Sequence, residues 1–177
     1  MGDGREMTRV MRRLRAIREY ADEPVSDDDL DEILTVARWT GSAQNQQPWR
    51  FVVVRERESL RRLGQLTPNA PQVGRAQLAI AVVMPGQKSV LEAYDEGRVT
   101  ERILLAAAAL GLGAAVGWVP QDARESAAAL LRIPKGRLLR SVVAIGHPSP
   151  VAERRRAAPG TARLPLEALV HHERWRA

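Results

Sequence analysis

The sequence predicts an α+β fold: one sheet layered against helices in one domain. Short apolar, β-branched runs at 50–55, 77–84, 114–119 and 138–146 read as buried strands, and turn residues such as Pro48, Pro85-Gly86 and Pro148 punctuate them. Between them lie stretches with helical spacing, for example Leu30, Ile33, Leu34 and Ala37. Strands and helices do not alternate strictly, which argues for an α+β layered domain. A chain of 177 residues suffices for one core. No repeat or boundary divides it, so residues 1–177 are read as a single domain.

Taken in order, residues 6 to about 20 form a helix with Val10, Leu14 and Ile17 on one face. Ser26 is the N-cap of a second helix, and Asp27, Asp28 and Asp29 suit its positive end. A polar loop leads to the first strand at 50–55. A short amphipathic helix over 55–66, a Pro-rich loop and a second strand over 77–84 follow. A long helix over 88–110 has an Ala- and Leu-rich second half, read as apolar on every side. Gly111-Leu112-Gly113 stops it before the strand at 114–119. Asp122 is expected to cap a helix over 123–132, ahead of the strand at 138–146. Beyond Pro148 the chain lacks periodicity until Leu164, and 150–177 reads as a tail reaching to a partner subunit.

Composition narrows the function. The chain has no cysteine, so thiolate chemistry is excluded. The start of the chain lacks the apolar segment of an export signal, no apolar run suits a membrane span, and cytoplasm is the expected location. The net charge is +6, nearly all from arginine, but the charges are dispersed and Tyr and Phe are too few for base stacking. Neither nucleic acid nor membrane is therefore the expected partner, and an anionic small ligand suits the arginines. His147, His171 and His172 have no acid at ligand spacing, so no metal site is expected. Ser42 has no nucleophile-elbow frame, and Gly111-Leu112-Gly113 lacks the third glycine of a dinucleotide fingerprint.

The segment Gly41-Ser42-Ala43-Gln44-Asn45-Gln46-Gln47-Pro48-Trp49 carries most information. It is either a turn whose amides cap the preceding helix or an amide platform for a flat heterocycle, because each amide both donates and accepts. Trp49 is read as a core anchor. Arg15 and Arg18 are either a phosphate clamp or a solvated face.

This segment resembles the signature of the FMN-dependent nitroreductase family. So do Arg15-Ala16-Ile17-Arg18 with Pro24-Val25, Leu104-Leu105-Ala106-Ala107 through Gly111-Leu112-Gly113, and Val142 to Pro148 with Arg163-Leu164-Pro165 and Glu173-Arg174-Trp175. The four matches stand in family order across most of residues 10–175. The resemblance implies a mixed sheet flanked by helices in an intertwined homodimer with FMN at the subunit interface. It implies that Arg15, Arg18 and Arg163 hold the FMN phosphate. It implies that Gly41, Ser42, Ala43, Asn45 and Gln47 lie by the ring, and that a backbone N–H near Val116, Gly117 and Trp118 faces flavin N5. Ala16 stands where the family has serine, and Trp118 where many relatives have a small residue that leaves the pocket wider. The implied activity is hydride transfer from NADPH or NADH to the flavin, then reduction of an electron-poor acceptor of nitroaromatic or quinone type. No catalytic side chain is required, since the cofactor carries the redox chemistry. Two readings stay open beside it. One is an FMN dehydrogenase that passes electrons to oxygen; the other is a non-catalytic flavin-binding homologue, for which the brief segment from Pro85 to Tyr94 argues.

Overall fold

A computed structural model describes residues 4–157 and 163–175. Within them, helix α1 covers Gly4–Arg13, α2 Asp27–Arg38, strand β1 Arg50–Val54, α3 Arg57–Leu66, β2 Leu78–Met84 and α4 Ser89–Ala109. Strand β3 covers Gly113–Trp118, α5 Arg124–Leu130, β4 Leu138–Gly146 and α6 Pro150–Ala157. The sheet order is β1-β2-β4-β3. The predicted α+β layering is observed. The resemblance implied a mixed sheet, whereas all three pairings described are antiparallel; an apolar run carries no information about its direction.

Side-chain alternation splits the core into two layers. Ile80, Val82, Val143 and Ile145 face α2 and α4, meeting Ile33, Ala37, Val99, Ile103 and Ala107. Ala79, Ala81, Val142 and Ala144 face the other way, toward Leu60, Leu63, Val73 and Ala127. Strand β2 is buried along its whole length, which explains its uninterrupted apolar sequence. Trp49 is buried in the first layer, as expected.

Several local expectations are met. The Asp29 N–H donates to Ser26 Oγ at 3.0 Å, so Ser26 caps α2. The last strand runs over Leu138–Gly146. Three expectations are corrected. Helix α1 ends at Arg13, not near residue 20. From Leu14 the chain runs extended beside β3: the Ile17 N–H donates to Ala114 O at 3.0 Å, and Ile17 is buried where Gly113 leaves room. This tertiary contact overrides the helical spacing of Leu14 and Ile17. Asp122 is no cap, because a 3-10 turn at Gln121–Ala123 precedes α5 and no side chain caps either. Helix α6 was not expected. Ser149 caps it, Pro150 opens it, and Ala152 is buried beneath it. Arg155 pairs with Glu19, and the Ser149 N–H donates to Glu19 O at 3.0 Å, so this part of the 150–177 stretch packs on its own chain. Residues 158–162 and 176–177 of that stretch lie outside the described residues.

A β-bulge orders the far end of β4. Val82 pairs with Ser141 and Val83 with Leu139, leaving Arg140 as the extra residue. Its guanidinium turns under α4, where Nε donates to Glu96 Oε2 at 2.7 Å and Nη2 forms an ion pair with the same oxygen at 2.6 Å, with both side chains buried. One turn earlier, Glu92 accepts N–H bonds from Gly86, Gln87 and Lys88. Burial penalises its charge, but these donors and Arg140 outweigh that and hold its carboxyl below the usual range. The bulge and these carboxylates fix the start of α4 to the sheet.

At Gly113 an added Cβ would lie 2.5 Å from Ile17 Cγ2. Gly113→Ala is therefore expected to push out the segment over 14–18 and destabilise the protein by about 1–3 kcal/mol. Denaturant titration checks this, and an unchanged midpoint refutes the assigned contact.

Candidate functional site

The site is built on the free edge of β3. Gly113, Ala115 and Gly117 point their backbone groups toward β4, and the Val119 N–H continues that parity by donating to Arg140 O. Ala114, Val116 and Trp118 therefore direct theirs outward; Ala114 O accepts from Ile17 and Val116 O from Gln72. Of the predicted stretch, the outward N–H groups are those of Val116 and Trp118, not that of Gly117. Gly117 is a packing position, since an added Cβ would lie 2.7 Å from Val73 Cγ2. Val116 and Trp118 stand exposed on the other face, and the Arg124 guanidinium lies 5.4 Å from the Trp118 ring centroid.

Beside this edge lies a cavity of about 790 Å3. Ile17, Leu112 and Ala114 give it an apolar wall, Leu104 and Ala108 of α4 a second one, and Arg13, Arg15 and Glu153 a charged rim. The Ala- and Leu-rich half of α4 was expected to be buried all round. Instead Leu104 and Ala108 open onto this space. The Arg15 guanidinium donates from Nη1 to Leu14 O at 2.8 Å and Arg12 O at 3.1 Å, leaving its other nitrogens for a ligand. Arg15 and Arg18 do not share a helix, as the sequence spacing had implied, because α1 ends before both. Arg18 is exposed and stands outside the cavity lining. Next to it, burial pushes the Tyr20 phenol up despite the opposing charges of Arg18 and Arg75, so it stays neutral and donates to Ile17 O at 2.8 Å. That bond anchors the segment carrying both arginines.

The amide loop forms a second, separate surface. Gln44, Asn45 and Gln47 have φ of 52°, 54° and 47°. Left-handed backbone is tolerable for Asn but strained for Gln, and such strain persists where surrounding bonds hold it. Ser42 Oγ accepts the Gln47 N–H at 2.8 Å, Gln47 Nε2 donates to Asn45 Oδ1 at 3.3 Å, and Gln46 Nε2 donates to Gln44 Oε1 at 3.1 Å. The amides thus bond one another. They do not cap α2, whose C-terminal carbonyls are met by the backbone of Trp39 and Thr40. Gly41 lies under the Arg98 guanidinium, where an added Cβ would be 2.7 Å from Nη2. Gly41, Asn45 and Gln47 line a groove of about 360 Å3 with Arg38, Trp39 and Thr40. Ala43 is exposed beside it.

Sequence reasoning passed over Trp39 and Arg98. Trp39 is 74% exposed, and that departure from a core role is visible only in the structure. Arg98 reaches Gly41 from α4, a contact without local signal. Arg163 is exposed in the tail, remote in sequence from both surfaces. Among the described residues, no group of His, Asp and Glu is arranged to hold a metal, and no helix is long and apolar enough to cross a membrane.

The donor set fits a phosphorylated flavin in chemical terms. The cavity offers a guanidinium for a phosphate and apolar walls for a ring, and outward strand N–H groups at Val116 and Trp118, outside its lining, stand further along the same edge. Comparison with known proteins agrees. The model of the nitroreductase family matches residues 11–95. A protein of Archaeoglobus fulgidus that bears the name NADH dehydrogenase/NAD(P)H nitroreductase is 40% identical over 147 residues, covering 76% of this chain and 80% of its own. The FMN reductase [NAD(P)H] of Bacillus subtilis is 31% identical over 186 residues, covering 91% of this chain and 71% of its own. The structure of NfrA2 from B. megaterium superposes with a TM-score of 0.85 at 26% identity, over 97% of this chain and 75% of that one.

Proposed function

The chain belongs to the nitroreductase family, and from that premise we propose where its cofactor is held and what it reduces. It is an NAD(P)H-dependent flavin oxidoreductase that uses FMN, the activity carried in its relatives' names. FMN, when bound, supplies the two-electron chemistry. The protein's part is to bind, orient and exclude water. Arg15, with Arg18 and Arg163, neutralises the phosphate. The Val116 N–H offers a donor where negative charge develops during reduction, and a preformed donor needs no reorganisation at that moment. Ile17, Leu112 and Ala114 keep the ring environment dry.

The loop with Gly41, Ser42, Ala43, Asn45 and Gln47 forms a surface of its own within one chain. We therefore assign it to the site of a second subunit in a homodimer. Apolar residues left uncovered within one chain support such an assembly: half-buried Leu104 and Ala108 on α4, and exposed Leu164, Leu166, Leu169 and Trp175 in the tail. The whole of 1–177 then acts as one domain, with 163–175 lying on the partner. The final acceptor is a planar, electron-poor molecule of the quinone or nitroaromatic class, and Trp118 narrows the space open to it.

The observation that carries this reading is the cavity joining Arg15 to the outward edge of β3. Its test is an anaerobic absorbance spectrum of the purified protein with added NADPH or NADH. Flavin bands that bleach, in a species sedimenting as a dimer, are the expected result. Bands that persist with both nucleotides point to the dehydrogenase reading. A protein that takes up no FMN refutes the cofactor assignment, and an FMN-loaded monomer refutes the shared site.

A further inference from the structure

Helix α1 presents a charge pattern that the flavin site does not use. At 100° per residue, Arg5, Thr8, Arg9, Arg12 and Arg13 fall within an arc of roughly 140°. These five residues line a groove of about 510 Å3. Val10 and Leu14 turn the opposite way, into the 790 Å3 cavity. Arg13 lines both spaces, so the groove adjoins the cavity assigned to the flavin.

Four guanidiniums on one short helix face repel one another. Among the described residues, none of Arg9, Arg12 and Arg13 has an acidic partner. The helix dipole accounts for Arg12 and Arg13, which lie in the last turn, where positive charge is favoured. It does not account for Arg9, which lies mid-helix. Arg9 extends the arginine row away from the cavity, and Arg5 to Arg13 spans about 12 Å along the axis. Such a row suits a ligand with a second, remote phosphate. A phosphomonoester carries nearly two negative charges and three strong acceptors, which a guanidinium fork meets with paired bonds.

We propose that this groove binds the adenosine 2′-phosphate of NADPH and so makes the protein prefer NADPH to NADH. This rests on the reading that the adjoining cavity holds the flavin and receives the nicotinamide. NADH presents a 2′-hydroxyl in the same place, which offers the guanidiniums no charge to neutralise.

The test uses the FMN-loaded dimer and the variant Arg9→Ala/Arg12→Ala, whose substitutions lie on an exposed helix face away from the flavin cavity. Initial rates are measured with each nucleotide and a quinone acceptor. Binding of adenosine 2′,5′-bisphosphate is measured separately by calorimetry, with 5′-AMP as the control. The wild type is expected to prefer NADPH. The variant is expected to raise the NADPH KM by about tenfold or more, with kcat and the NADH KM within about twofold of wild type. Its affinity for the bisphosphate falls by a similar factor. Equal KM rises for both nucleotides would reduce the groove to general attraction of anions and overturn the proposal. So would a wild type that binds the bisphosphate no better than 5′-AMP. If neither nucleotide reduces the flavin, the oxidoreductase reading fails, whereas selective bisphosphate binding lost in the variant still upholds the groove.

Discussion

Replacing both Arg15 and Arg18 with alanine is expected to weaken FMN binding by about two to four orders of magnitude. Each removes a charge-assisted contact to the phosphate, of about 1.5–3 kcal/mol. Arg15 is expected to dominate, because it lines the cavity while Arg18 stands outside the lining. Arg15 also holds the turn after α1 through Leu14 O and Arg12 O, so a structural loss must be separated from a lost ligand contact. Arg15→Lys makes the separation: it keeps the charge but not the paired geometry, and intermediate FMN affinity is the expected result. The measurement is quenching of flavin fluorescence on titration with apoprotein, beside a melting curve of each apo variant. FMN affinity unchanged in the double variant would remove the phosphate from this end of the cavity.

The second large effect is expected at the buried pair of Glu96 and Arg140. Glu96→Ala leaves the Arg140 guanidinium beneath α4 without its carboxylate, and removing one member of a buried pair destabilises by about 3–5 kcal/mol. For a chain of this length that is a fall in melting temperature of roughly 6–20 °C. The pair itself is not ideal, since Glu96 Oε1 is buried without a hydrogen-bond partner. Replacing both residues with apolar ones, Glu96→Met with Arg140→Leu, is therefore expected to recover most of the loss. A single variant melting within about 2 °C of wild type would show that water reaches the pair and that it does not hold α4 to the sheet.

The fold was legible where local rules and burial agree. Ser26 and the three aspartates after it mark the start of α2 because capping is local. Residues 138–146 are recognised as a strand because the apolar run is long and bounded by glycines. Helix α6 was equally local, since Ser149-Pro150 is an N-cap followed by a first-turn proline, but the surrounding arginines and alanines hid it. Other features had no local signal. The end of α1 depends on Ile17 meeting Gly113 about a hundred residues away. The bulge at Arg140 depends on the partner strand.

The site was legible in kind more than in arrangement. Arg15 lines the cavity, and the amides of the loop bond one another and do not cap α2. The sequence could not distinguish Val116 from Gly117, because which N–H faces outward depends on the parity of a pairing formed by β4. Nor could it separate Arg15 from Arg18, since their spacing suggested helical neighbours where the chain is extended.

The left-handed amides bear on how this protein can be improved. Gln44 and Gln47 occupy a backbone conformation that disfavours residues with a side chain, by about 1–3 kcal/mol each. Glycine at either position relieves that disfavour, so a search that scores heat resistance alone will be drawn to this loop. At Gln47 the exchange also removes an amide from the proposed ring-contact surface, and at either position it loosens the bonds that hold the neighbouring amides. Thermal selection and catalytic selection thus pull in opposite directions here, and libraries built for robustness do best to keep residues 41–47 fixed.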